Sequence, residues 1–403
     1  MVPVPTETTD DTAPEALRAR HAAVAVAALF FVNGATFSNW LPRIPEIRDR
    51  LGLDNAGLGA TLLGGGLGGI LGALTVARVV GPLGSRRLLI AAAAALSIGM
   101  PFIALVPVAP LLLALLTLLG TLDVFNDMSM NAQGVMVQQH LGRSIMNRLH
   151  AMWSLGFTGG AVIGSAASAA HLDIRIHLGA VGLLLLTTVL VVQRWLVPND
   201  APVEPKPEAA PGPRRFATSP AMVAMAFAAL AAISLEVLPN DWSAVLMRDV
   251  FKAGRFSGLG TVACAGAMLV GRLGGDHVLD RVGEDRLLRG ALVVVAAGTV
   301  ITVTAPVTAL AVVGLVVWGL GLSVVFPQLY ATAARLPGTS AGAGLGSMLL
   351  GQRVGAMLTA IGTGALAEWA DLRFAFAVVT VIAFAVLSVT LHRASAAKHA
   401  PTT

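Results

Sequence analysis

The chain has 403 residues, 56% of them hydrophobic and 12% charged, with a mean hydropathy of +0.78; this is more apolar surface than one water-soluble core can hide, and an ordinary soluble enzyme is excluded. Lys and Arg outnumber Asp and Glu by 27 to 22, but they are scattered between apolar runs without interleaved aromatics, unlike a nucleic-acid groove. The single cysteine, Cys264, has no partner, which leaves neither a disulfide framework nor a cysteine-based metal site.

Residues 1–21 are polar and rich in Pro, Thr and Asp, with no basic start leading into a short apolar core, so a cytoplasmic tail is expected and not a secretory signal. Twelve apolar runs follow, near 22–41, 56–80, 88–106, 109–137, 150–170, 176–196, 219–239, 257–275, 288–306, 309–333, 341–366 and 374–391. Each suffices, at roughly 20 residues, to cross about 30 Å of hydrocarbon as a helix. The prediction is an all-α membrane protein of twelve transmembrane helices.

In the first run Asn33, Thr36, Phe37 and Trp40 fall on one stripe. Amides that read hydroxyls beside rings that stack on C–H faces suit a sugar or polyol wall, and simple helix packing explains the same stripe. Glycines at four-residue steps, Gly64, Gly68 and Gly72 in the second run and Gly156, Gly160 and Gly164 in the fifth, predict close helix crossings. Gly84-Ser85-Arg86-Arg87 punctuates the boundary between the second and third runs.

The fourth run is the polar anomaly. Asp123, Asp127 and Asn131 follow one another at four-residue steps and share a helix face. An ionised acid at mid-bilayer costs on the order of 3 kcal/mol, so this face is expected to border a hydrated cavity or a partner. A proton-binding carboxylate at Asp127, with Asp123 beside it, is one reading; a structural hydrogen-bond network between helices is the other. In the fifth run His150, Trp153, Ser154 and Phe157 share a face, with Trp153 a candidate solute contact.

The stretch from Pro198 to Pro220 holds Pro202, Pro205, Pro207, Pro211 and Pro213 among charges and reads as a linker. The seventh run then supplies a second acid inside an apolar span, Glu236, with Asn240 one turn on and Pro239 between them; Asp241 and Trp242 are expected at the external interface. After the eighth run comes Asp280-Arg281-Val282-Gly283-Glu284-Asp285-Arg286. In the tenth, Pro327 beside Gln328 suggests a local break, with Trp318 and Tyr330 as weaker candidates. In the eleventh, Arg353 needs a counter-charge: Glu236, an acid of the fourth run, or an anionic solute.

Taken at an offset of about 200 residues, the chain shows one plan twice, with Trp40 answered by Trp242 and the loop at Gly84 by that at Asp280. The expected organisation is a tail (1–21), a six-helix bundle (22–197), a cytoplasmic linker (198–218), a second six-helix bundle (219–391) and a tail (392–403). With the N-terminus inside, 17 of the 27 Lys and Arg lie in cytoplasmic segments and 8 in external ones, while Arg272 and Arg353 lie within helices. This satisfies the positive-inside rule for a cytoplasmic membrane protein with both termini in the cytoplasm. Nucleotide-binding, nucleophile and metal-binding signatures are missing, so no enzyme activity, cofactor or metal is expected, and an ion or solute gradient must supply the energy.

The Gly-x-x-Arg spacing at Gly84–Arg87 and the fuller Asp280-Arg281-x-Gly283-x-x-Arg286 resemble the loop signature of the major facilitator superfamily. Trp40-Leu41-Pro42-Arg43-Ile44-Pro45, Asp127 to Gln133, Arg148 to Ser154, Asp241-Trp242-Ser243-Ala244 and Val325-Phe326-Pro327 resemble the MosC/YbjJ-like subgroup, distantly similar to fucose permeases. The resemblance implies a central cavity lined by the first, fourth, seventh and tenth helices, and a small polar solute such as a sugar or an inositol derivative. It also implies gating roles for Arg86, Arg87, Asp280, Arg281 and Arg286. Departures are Gly81 and Pro82 in place of an Asp-Arg pair in the first loop, and Asp123 and Arg353 as additions.

The resulting expectation is a monomeric secondary transporter for a sugar-like or polyol-like solute, coupled to protons through Asp127, Glu236 and Asp123. Its solute contacts are expected among Asn33, Thr36, Phe37, Trp40, Asn131, Trp153, Asn240, Gln328 and Arg353, and its partners are the solute, protons and the lipid bilayer, with no nucleic acid. Efflux of a metabolite or drug, and a transport-dead receptor, are the alternatives.

Overall fold

A computed structural model describes residues 12–198, 219–335 and 341–398, and these are almost entirely helical. The helices are α1 (Thr12–Ser38), α2 (Ile44–Arg50), α3 (Asn55–Phe102), α4 (Ala109–Leu141), α5 (Met146–Ala169) and α6 (Ile174–Val192) in the first half. The second half holds α7 (Pro220–Asp249), α8 (Leu259–Val282), α9 (Glu284–Thr304), α10 (Thr308–Leu322), α11 (Val325–Ala334), α12 (Ala341–Trp369) and α13 (Leu372–Lys398). Helix is what an apolar span must form, because hydrocarbon offers no partner for a free N–H or C=O.

Among the described residues nine helical segments are long and apolar enough to cross a membrane. The 48-residue α3 bends at Gly84 and counts as two crossings, and the small-residue helices α5 and α12 complete the twelve. Leu183, Leu273, Val293 and Val381 are 66% to 72% exposed on the outer faces, an arrangement suited to lipid and not to water.

Local chemistry sets the boundaries. Asp54 and Ser219 cap α3 and α7 by accepting from the N–H groups of Gly57 and Met222. Gly84 (φ 72°, ψ 159°) and Gly283 (φ 80°, ψ 161°) adopt the same left-handed-side conformation at equivalent places in the two halves, which L side chains rarely adopt. The predicted break near Pro327 falls between α10 and α11, at Ser323 and Val324. Helix α1 starts at Thr12, ten residues before the apolar run, and α13 continues to Lys398, so helix extends into both expected tails. Most of the expected linker, residues 199–218, lies outside the described residues.

The duplication is visible in the packing. Helix α1 lies on α5 and α3 on α4; α7 lies on α12 and α8 on α10. Glycine makes these approaches possible: a Cβ on Gly156 would strike the carbonyl of Phe31, and one on Gly351 that of Ala226. The halves meet where α3 crosses α12 and where α5 crosses α8. At the first crossing, a Cβ on Gly59 would lie 3.1 Å from the Cα of Gly364.

Hydrogen bonds and ion pairs between the halves are confined, among the described residues, to the bundle's middle and the face opposite Thr12 and Lys398. On that far face Arg48 of α2 binds Asp249 at the end of α7 through two contacts, one of 2.9 Å. Arg248 binds Asp49 in return. The two Arg-Asp pairs are 200 residues apart in sequence, so the clasp is reciprocal across the pseudo-twofold axis. The N–H of Asn55 also donates to Glu368 at 3.1 Å. Nearby, Arg43 ties the loop after α1 to Glu46 at 2.6 Å and to the Leu172 carbonyl at 2.7 Å.

Trp242 does not lie at the external interface that its sequence position suggests. It is fully buried within the apolar core, as Trp40 nearly is, and therefore belongs to no interfacial aromatic belt. Trp318 is equally buried and ties α10 to α7 by donating to the Leu235 carbonyl at 3.1 Å.

Candidate functional site

A cleft between the halves is lined by Trp153, Ser154, Phe157 and Thr158 of α5, Glu236 and Asn240 of α7, and Ala265, Met268, Leu269 and Arg272 of α8. It holds about 250 Å³ of space, solvent at its mouth included. The first wall is aromatic: Trp153 and Phe157, one helical turn apart, stack with ring centroids 5.3 Å apart and planes 25° from parallel. The opposite wall sets Glu236, Asn240 and Arg272 among the apolar Ala265, Met268 and Leu269. Arg272 donates to Ser154 Oγ across the halves at 2.9 Å and approaches Glu236 Oε1 at 3.9 Å. Glu236 Oε2 and Asn240 Oδ1 are buried with no hydrogen-bond partner, two unpaired acceptors at a largely apolar cleft.

The partner of Glu236 is therefore Arg272, not Arg353. Sequence reasoning placed Arg272 within a helix but gave it no role; the signal was an arginine amid the glycines and apolar residues of α8 with the seventh-run acid unpaired. Arg353 of α12 lies along Gly69 of α3 and is the principal attractive charge acting on both Asp123 and Asp127. No ion pair within 4.0 Å closes on Arg353 among the described residues, so it faces the acids of α4 across a gap.

Asp127 is exposed and accepts from Asn131 Nδ2 at 3.1 Å. Its charge reaches Tyr330 of α11, which places it on the inner side of the first half, facing the second. Asp123 accepts at 3.0 Å from Asn33 Nδ2, and Asn33 Oδ1 accepts at 2.7 Å from Trp153 Nε1. Asn33 is buried and joins the acid to the aromatic wall without lining the cleft itself.

The other predicted contacts are more dispersed. Thr36 spends its hydroxyl on the Val32 carbonyl of its own helix, Phe37 is half-buried, and Trp40 is in the core. Gln328 is buried on α11, outside the cleft lining. Of the loop residues, Arg86 donates to the Gln193 carbonyl at 3.2 Å within its own half, while Arg87, Asp280, Arg281 and Arg286 are exposed. Cys264 is buried, and the described residues contain no group of His, Cys, Asp and Glu suited to a metal ion.

Comparison with known proteins agrees with this architecture. The chain is 26% identical over 354 residues to an uncharacterised MFS-type transporter of Yersinia pestis, covering 88% of this chain and 91% of that one. It is 28% identical over 364 residues to an uncharacterised transporter, y4wD, of Sinorhizobium fredii, covering 89% and 94%. To the membrane protein MosC of Rhizobium meliloti it is 26% identical over 326 residues, covering 80% and 77%. Among solved structures, a mutant form of the nucleoside transporter NupG superposes with a TM-score of 0.75 at 14% identity, covering 92% of this chain and 99% of that one. A bacterial homologue of the human lysosomal transporter Spinster, inward-facing and occupied, gives 0.67 at 14%, covering 93% and 97%. The family model described as Major Facilitator Superfamily matches residues 26–350, and with the duplicated twelve-helix bundle around a central cleft it follows that the chain belongs to this superfamily of transporters.

Proposed function

We propose that the protein moves a small, neutral, donor-rich solute of sugar-like or polyol-like class across the cytoplasmic membrane by alternating access, driven by protons. The observation that supports the solute class is the pair of unpaired acceptors, Glu236 Oε2 and Asn240 Oδ1, on residues that line the same cleft as the stacked rings of Trp153 and Phe157. Hydroxyl hydrogens satisfy such acceptors, and the C–H face of a sugar or cyclitol lies well on an indole ring. A carboxylate solute would bring a third negative oxygen to Glu236 and leave both acceptors unsatisfied.

Proton coupling rests on the placement of the acids. Asp127 and Asp123 confront Arg353 from the other half, and Glu236 lines the cleft beside Arg272. Protonating an acid that faces a cation across the halves weakens the attraction between them, which is what a proton-driven rocking step requires. With both termini cytoplasmic, as the distribution of Lys and Arg supports, the clasped far face is external. The solute pathway needs one chain.

The test is flux into proteoliposomes of purified protein, using myo-inositol, L-fucose and uridine as the probe panel, under an imposed pH gradient. With one proton per solute, one pH unit supports about tenfold accumulation. Asp127→Asn is expected to abolish accumulation while solute exchange continues; accumulation unchanged in Asp127→Asn removes that residue from coupling. Accumulation only against the opposite pH orientation identifies efflux by antiport instead.

A further inference from the structure

The strongest remaining feature is a single buried amide used at both ends. Asn33 Nδ2 donates to Asp123 at 3.0 Å, and Asn33 Oδ1 accepts from Trp153 at 2.7 Å. At 4% exposure Asn33 is shielded from bulk solvent. The amide is directional: turned over, it would set its NH₂ against the indole N–H, donor to donor. A carboxylate at position 123 therefore fixes the amide, and the amide fixes the ring that walls the cleft.

We propose that Asn33 is a positioning residue that transmits the charge state of Asp123 to the orientation of the Trp153 ring, so that a proton on the acid pair alters the grip on the solute. This rests on the transport reading for its consequence, not for its geometry. Protonation turns a charge-assisted bond into a neutral one and allows Asp123 to donate; the amide then gains by presenting its oxygen to the acid, and Trp153 loses its acceptor.

The frame around the relay is rigid. A Cβ on Gly34 would meet the Trp153 carbonyl, and would lie 2.8 Å from the Phe157 N–H nitrogen, so α1 and α5 are in backbone contact at this level. All three residues belong to the first half, and the connection persists while the halves rock. The charged groups acting on Asp123 are Asp127 on its own helix and Arg353 from α12. On the Trp153 side, Glu236 of α7 lines the same cleft, Arg272 from α8 reaches the adjacent Ser154, and His150 on α5 is engaged with Phe30 at 5.3 Å.

The experiment reads the indole itself. The protein has six tryptophans, so an indole-¹⁵N-labelled sample in nanodiscs gives few N–H resonances, and Trp153→Phe assigns the one of interest. The Trp153 resonance is expected to titrate with pH, to stop titrating in Asp123→Asn and in Asn33→Ser, and to shift its midpoint without vanishing in Asp127→Asn. Thermal melts check that each variant is folded. A Trp153 resonance indifferent to pH in the unaltered protein, or one that titrates equally in Asp123→Asn, overturns the proposal. Because no solute is needed, failure of flux with this titration intact rejects the transport reading and leaves the relay standing. Where a panel solute binds, its affinity is expected to change by about fivefold or more with pH and to lose that dependence in Trp153→Phe.

Discussion

Replacing Arg272 with methionine is expected to destabilise the protein more than replacing Arg272 and Glu236 together with methionine and glutamine. Arg272 is the near cation for Glu236, and the carboxylate has one oxygen already unsatisfied. Removing only the arginine strands a charge between apolar helices, at a cost on the order of 3 kcal/mol for a fully buried pair. The side chains here are 26% and 15% exposed, which reduces the penalty to about 2 kcal/mol, or roughly 30-fold in an equilibrium constant. The double variant removes the stranded charge and recovers most of the loss. Thermal melts and solute-dependent stabilisation check this, with the Glu236→Gln and Arg353→Met pair as the control expected to be additive. Simple additivity for Arg272 and Glu236 rejects the pairing.

The second large effect concerns the reciprocal clasp. Arg48→Glu gathers three carboxylates at the far mouth, with Asp49 and Asp249, where the native arrangement alternates sign. Exposed ion pairs contribute little singly, but a fork-shaped Arg48–Asp249 contact beside Arg248–Asp49 forms a network of about 2 kcal/mol. Its loss shifts the balance between the two access states by roughly 30-fold toward opening at that face. Arg48→Glu is therefore expected to slow turnover and raise the labelling of cysteines placed at the far mouth. Arg48→Glu with Asp249→Arg is expected to restore both. Labelling unaffected by either change would show that the clasp does not hold the mouth.

These two predictions also mark what the sequence made legible. Long apolar runs and a 200-residue repeat of Trp, loop and glycine punctuation are one-dimensional signals, and they predicted twelve helices in two bundles. The clasp is not legible in the sequence, although Arg48-Asp49 and Arg248-Asp249 repeat at the same offset. A charged dipeptide beyond an apolar run reads as a solvated loop end, and only the pseudo-twofold packing shows that each meets the other's opposite charge. Glu236 and Arg272 were both visible as charges inside spans, yet nothing one-dimensional says which helix faces which.

The stripe Asn33, Thr36, Phe37 and Trp40 shows the same limit. Helical periodicity places the four on one face, but α1 is surrounded, so that face is divided among a hydrogen bond to Asp123, a self-satisfied hydroxyl and the core. The aromatic wall instead comes from Trp153 and Phe157 on α5, one turn apart on the helix that crosses the second half. The acids of α4 were legible because an Asp in an apolar span is expensive, and the structure turns them inward toward Arg353.

Alternating access requires the clasped face to open once per cycle, and one measurement addresses this directly. Arg48→Cys and Asp249→Cys place thiols on opposite halves, and the native Cys264 is buried, so a reducible bis-thiosulfonate reagent can link the pair selectively. Flux of the best-binding solute of the myo-inositol, L-fucose and uridine panel is then followed in proteoliposomes. The account predicts that cross-linking stops flux and that reduction restores it; flux continuing at the original rate with the link intact would contradict it.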